Sequence, residues 1–362
     1  MALVEDEGEE KQNIFVEPLL YDEAKEIACT VAERERRRRE EGEMMQKVAE
    51  NMRRDEAHQA VRKSIMEYNT KLERDVYTRF FLRDFSVFDI NEESPILPMR
   101  YTSSVYEDEF GREDSANILS VSIVSSDVGF PINVYGSVIA RDSIDYKCIY
   151  LFRRHRDDCQ VINPEDKMLI LTGPGRGLVL VDFIYLEIDL KIRDLKNDKE
   201  YLDKQFSKGL ISIDGRVLSR EKDVVVRSEI LESWLSTMEV RVATVLNTVE
   251  GTFEIKLLEG HFFGKITVGI KGIKETMILV HDSEADGVVT CDERVIKLRR
   301  RVMTLCLEKM LVIHIGNTCG GVLQEQTLDF TPRRTSSGHA VIPCGTGLFQ
   351  VRVVWSSMDF RL

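Results

Sequence analysis

The sequence predicts a mainly β protein, with antiparallel sheets packed as a sandwich or rolled into a barrel and a charged α-helical extension at the N-terminus. Three observations predict it. From about residue 118, apolar residues recur at every second position in short runs separated by turn residues, which is the period of a half-buried strand. From 18 to 84 the chain is rich in charge, poor in glycine and almost free of proline, with apolar residues spaced by three and four. Nowhere do strands alternate with long helices, which argues against a doubly wound nucleotide fold.

In chain order, residues 1–17 read as an acidic disordered tail, without the apolar core of a secretory signal. Residues 18–84 read as a charged helical arm. Its clearest stripe is Val61, Ile65, Tyr68, Leu72, Val76 and Phe80, all on one face of a helix. A thinner stripe runs through Ile27, Val31, Met45, Val48 and Met52, interrupted by Gly42, and is too short to define a coiled coil. Such a face buries against something: the rest of the chain, a folded-back hairpin or a second copy. The basic cluster Arg34 and Arg36 to Arg39 is flanked by Glu33, Glu35, Glu40, Glu41 and Glu43, and reads as a solvated helix face rather than an import signal or RNA contact.

Residues 85–117, with two prolines, several serines and many acids, read as a linker and entry to the β region. The β region, 118–356, is one continuous domain or two lobes, 118–215 and 236–356; two lobes sharing an interface fit slightly better. Its cleanest strand is "LEIDLKI", with Leu186, Ile188, Leu190 and Ile192 directed inward and Glu187, Asp189 and Lys191 outward.

Composition narrows the function. A net charge of −12 gives no general attraction to nucleic acid phosphates. No run approaches a membrane span. The seven cysteines are scattered without a CxxC pair, which suits reduced thiols in the cytoplasm or nucleus rather than a disulfide scaffold or a structural zinc site.

Three motifs invite chemistry. The stretch "LILTGPGRGLVLVD" holds Gly173, Pro174, Gly175, Arg176 and Gly177 between apolar runs. A P-loop needs one more residue, a lysine where Leu178 stands, and a following helix. The expectation is a tight turn between antiparallel strands, Gly175 accepting positive φ and Arg176 exposed at the tip. The stretch "DSEADGVVTCDE" has the spacing of a twelve-residue calcium loop: Asp282, Glu284 and Asp286, the Val288 carbonyl, Thr290 and a bidentate Glu293. The run before it reads as a strand where that motif needs a helix, so an acidic hairpin turn explains the same letters. Beyond calcium, no cofactor is expected. The stretch "RRHRDDCQ" sets His155 near Cys159, but no orienting third group is evident. Arg154, Arg156, Asp157 and Asp158 read better as strand-end ion pairs, with Asp142 and Asp145 as partners. His314 falls on the outer side of its strand, and Trp234 and Trp355 read as packing residues.

One string carries a resemblance. The "VYGSVIARDSID" strand, "FRRHRDDCQ", the "LILTGPGR" turn and the following "LEIDLKI" strand resemble a plant family expanded in grasses and catalogued as a domain of unknown function, number sixty-five ninety-eight. The resemblance spans roughly 97–356. It implies an all-β domain with a variable N-terminal extension, and transfers no catalytic residues. Some relatives of the wider grouping look like ribosome-inactivating glycosidases, but "SEILESWLSTMEVR" lacks the tight Glu-x-x-Arg spacing of that chemistry. The expected function is a non-catalytic β-rich interaction module, binding a protein partner or itself through the helical arm. The alternatives are a calcium-binding β module using loop 282–293 and a defence-related hydrolase.

Overall fold

The chain forms one long helix followed by strands that pair antiparallel in every sheet described. The structure, a computed structural model, describes residues 22–98, 113–194, 203–217, 222–290 and 295–358. The expected tail, 1–17, lies outside them. The residues group into two units, Met1–Gln59 and Ala60–Leu362.

The helix Glu23–Ser64 begins at Asp22, whose side chain accepts the Lys25 amide at 3.2 Å, satisfying one of the first-turn donors. Glu23 and Glu26 lie in its first turn, and Arg62 and Lys63 in its last. Both placements suit the helix dipole. Ion pairs one turn apart join Arg36 to Glu40, Arg37 to Glu33 and Arg54 to Glu50 along its surface.

The helix stops about twenty residues before the expected boundary at 84, and the stripe from Val61 to Phe80 does not lie on one helical face. Met66–Asn69 and Arg74–Tyr77 form a β-hairpin instead. Asn69 turns the chain: its side-chain carbonyl accepts the amides of Lys71 and Leu72, and Glu73 takes a positive φ of 52°. The hairpin lets Ile65, Phe85 and Ile90 bury together with Tyr77, Phe81 and Phe88 against them. Residues 85–98 are therefore partly core rather than free linker, and the first long strand starts at Ser115, inside the expected linker.

Two hydrophobic cores organise the strands. In the first, one sheet runs Val224–Ser233, Ser236–Val245, Ser115–Ser126, Leu178–Val179. The other runs Ile149–Arg154, Ile132–Arg141, Phe183–Ile192, Lys204–Asp214. Val121, Val134, Leu151, Leu186, Phe206 and Val240 fill the space between them. In the second, the sheet of Val302–Cys306, Thr248–Glu259, Gly347–Ser357 and Ser336–Cys344 shares a core with that of Ile273–Asp282, Gly264–Ile270, Leu311–Cys319 and Val322–Phe330. Trp355 is buried there, as a packing residue should be.

The boundary between cores is not where the sequence places it. Ser236–Val245, expected to open the second lobe, pairs with Ser115–Ser126 along its whole length. Both strands also feed the second core, through Leu119, Ala243 and Val245. Within Phe183–Ile192, Leu186, Ile188 and Leu190 are fully buried as their alternation requires, but Glu187 is buried too. Its reason is electrostatic.

Candidate functional site

Two of the motifs meet in the interior. Arg141 ends the strand Ile132–Arg141 and Asp142 follows it, and the two charges have different partners. Arg141 Nε donates to Glu187 Oε1 at 2.6 Å, and its Nη2 donates to the Ile90 carbonyl at 2.6 Å. Glu187 also accepts from Arg79 Nε and from the Phe80 amide. One buried carboxylate thus fastens the segment 79–90 to the sheet. Asp142 accepts from both terminal nitrogens of Arg176, at 2.5 and 2.9 Å, and from the Val179 amide at 2.9 Å.

Arg176, expected at an exposed turn tip, is only 3% exposed. Burial works against its charge, but Asp142, with Asp145 and Glu250 further off, outweighs that and raises its pKa. Nor is 169–177 a tight hairpin turn: Leu169 and Leu171 are buried, and Gly175 does not take positive φ. The Gly173–Pro174 bond is cis. Gly173 runs so close to the Tyr150 carbonyl that a Cβ would sit 1.9 Å from its oxygen. Glu250 Oε2 accepts the Gly177 amide at 2.6 Å, so the glycine loop is held by carboxylates.

The "RRHRDDCQ" residues do form ion pairs, though not with Asp142 or Asp145. Arg154 Nη1 donates to both carboxylate oxygens of Asp158, Arg156 reaches Asp203, and Arg193 lies 3.6 Å from Asp157. Burial opposes the Asp203 charge, yet the Arg156 guanidinium, the Asp194 amide and the Tyr135 hydroxyl lower its pKa to about 2. Cys159 lies 3.8 Å from Asn133 Oδ1, and His155 is exposed at the start of a short 3₁₀ turn. No hydrogen bond joins them.

In the acidic loop the chain runs strand, one helical turn, strand. Asp282 caps the Ser283–Asp286 turn and pairs with Lys265 at 3.1 Å. Asp286 accepts the Asp282 amide and pairs with Arg299 at 2.9 Å. Glu284 and Val288 are exposed, Thr290 pairs with His261 in a two-residue strand, and Glu293 lies outside the described residues. A cation here would compete with Lys265 and Arg299.

The remaining feature is the helix face. Ile27, Val31, Met45, Val48 and Met52 are between 47% and 72% exposed, and no residue of Glu23–Ser64 is buried. The seam they define continues through Arg34, Arg38 and Glu41 at strict steps of four and three. These three have no ion pair among the described residues, although neighbouring arginines do. No helix among the described residues is long and apolar enough to cross a membrane.

Sequence reasoning missed Glu187, Glu250 and Asp203. Each is an ordinary strand or loop acid, identified only by a partner distant in the chain: Arg141 for Glu187, Arg156 for Asp203 and the Gly177 amide for Glu250.

A model of a domain of unknown function, DUF6598, matches residues 115–353. A search of curated proteins finds no match. Two solved structures of human GIVD cytosolic phospholipase A2 align with 68% of this chain. One, at 9% identity and a TM-score of 0.21, is covered over 30% of its length. The other, in complex with methyl gamma-linolenyl fluorophosphonate inhibitor and terbium chloride, gives 11%, 0.19 and 32%. The chain thus spans about a third of those proteins, and a likeness at such scores supports no inference.

Proposed function

The chain belongs to the DUF6598 family, and from that premise we propose that it is a non-catalytic β-rich interaction module that pairs with a second copy of itself through the helical arm. The observation that supports this is the unburied seam of Glu23–Ser64. An apolar stripe in water is stabilised by burial, at about 25 cal/mol per Å², and steps of four and three are those of coiled-coil contact positions.

The charges on the seam select the direction. In a parallel pair, Arg34 faces Arg34, Arg38 faces Arg38 and Glu41 faces Glu41, three layers of like charge. In an antiparallel pair centred between Arg39 and Glu40, Arg38 faces Glu41 of the other copy. Val31 then faces Val48 and Ile27 faces Met52, while the aliphatic stem of Arg34 covers Met45 and its head reaches water. The free thiols among the described cysteines suit a reducing compartment, the cytoplasm or nucleus.

Sedimentation of the full chain tests the pairing. The dimer is expected to weaken with Arg38→Glu and with Glu41→Arg separately, and to recover when both are made together. A monomer at high micromolar concentration, or a double exchange that fails to recover, overturns the reading.

A further inference from the structure

We propose that the cavity lined by Arg300 is a binding site for a monocarboxylate with an apolar body. The cavity, about 310 Å³, lies between the strands Ser115–Ser126 and Ile273–Asp282 and the segment 166–171. It adjoins both hydrophobic cores, since Leu119 belongs to one and Leu171 to the other. Its volume falls at the low end of the roughly 300–1,000 Å³ of small-molecule sites, which favour such junctions.

Arg300 is the anomaly that points to a ligand. It is 4% exposed, yet no carboxylate pairs with it among the described residues. Among the described residues its Nε has no hydrogen-bond partner, and its one hydrogen bond is a 3.5 Å reach from Nη1 to the Leu119 carbonyl. The other buried arginines, Arg141 and Arg176, each have a buried carboxylate within 2.6 Å. A buried guanidinium without a counter-charge is costly, and desolvation lowers its pKa to about 10. An anion entering the cavity supplies the counter-charge that the described residues do not.

The remaining lining defines the anion. Arg241, partly buried and likewise without an ion-pair partner among the described residues, contributes a second guanidinium. Arg299 is already engaged by Asp286. Ser120 supplies a hydroxyl, while Leu171 and Met277 are among the apolar walls. Asp166 and Glu275, both exposed, stand at the lining with negative charge. They repel a dianion such as phosphate more than a singly charged head, and the apolar walls suit a hydrocarbon body. A planar carboxylate also matches the two-pronged geometry of a guanidinium.

Calorimetry and thermal melts of the full chain with octanoate, 1-octanol and inorganic phosphate test the proposal. Octanoate is expected to bind saturably, one per chain, and to raise the melting midpoint by several degrees. The alcohol and phosphate are expected to bind about ten- to a hundredfold more weakly, as loss of a charged hydrogen bond implies. Arg300→Met keeps the bulk and removes the orphaned charge; it is expected to melt no lower than the parent and to lose octanoate affinity by a similar factor. Equal binding of octanoate and octanol, binding of phosphate in preference, no binding at all, or full affinity in Arg300→Met overturns the proposal. Should Arg300→Met fail to fold, the three ligands on the unaltered chain still decide it.

Discussion

Arg141 and Glu187 lie on neighbouring strands, 0% and 4% exposed, with Nε 2.6 Å from Oε1 and Nη2 3.2 Å from Oε2. The pair ties the segment 79–90 to the sheet, because Glu187 also holds Arg79 and the Phe80 amide while Arg141 holds the Ile90 carbonyl. Losing one partner leaves the other charge stranded, at a cost of about 3–5 kcal/mol. Urea unfolding of Glu187→Gln is expected to show a loss of that size, with faster proteolysis within 79–90. Arg141→Met with Glu187→Leu is expected to recover much of it. A loss below 1 kcal/mol for the single change would show that the pair is not the anchor.

Burial separates two arginines that look alike in sequence. Arg176→Lys keeps the charge but loses the fork on Asp142, and is expected to cost about 1.5–3 kcal/mol. Arg154→Ala breaks a pair whose aspartate is 71% exposed, and is expected to cost less than about 1 kcal/mol. Parallel denaturant titrations check the ranking; equal costs would contradict it.

Asp203 adds an acid limb to stability. Its pKa is lowered to about 2 from 3.8, so its contribution is full above about pH 4 and is lost as pH falls towards 2. A shift of that size corresponds to about 2 kcal/mol. The difference in urea midpoint between the parent and Asp203→Asn is expected to be largest at pH 6 and to shrink towards pH 2.5. A difference independent of pH would mean that the carboxylate charge is not what matters.

The helical pairing sets a distance. Cys29 is exposed on the arm. In the antiparallel register the two copies of Cys29 stand about 30 Å apart along the axis, at 1.5 Å per residue. Spin labels on Cys29, in a chain with Cys159, Cys291 and Cys319 changed to Ser, are expected to report that separation or slightly more. Labels within about 15 Å would indicate a parallel pair.

The strands were legible because a period of two survives any tertiary context: Leu186, Ile188 and Leu190 could only face inward together. The hairpin at Met66–Tyr77 was not, because Val61, Ile65, Tyr68, Leu72, Val76 and Phe80 satisfy a helical spacing while Asn69 quietly supplies a turn. The same alternation that places its neighbours correctly directs Glu187 outward. Charge is normally excluded from a core face, and what licenses the exception is Arg141, forty-six positions away. Arg176 follows the same logic: a glycine-rich stretch suggests the surface, and only Asp142, thirty-four positions away, accounts for its burial. Arg300 sits in a run of three arginines whose letters give no sign that the middle one is enclosed.

The ladder that joins both cores has a consequence during synthesis. Ser126 meets Ser236 and Ser115 meets Val245, so the first core lacks its central partner until more than a hundred further residues have been translated. At about 5–20 residues per second that wait is roughly ten seconds. Until then Ser115–Ser126 has only the short contacts with 167–169 and Leu178–Val179 along its other edge, and the edge that will hold Ser236–Val245 stays open, which exposes the nascent chain to chaperone capture and to aggregation with neighbours on the same message.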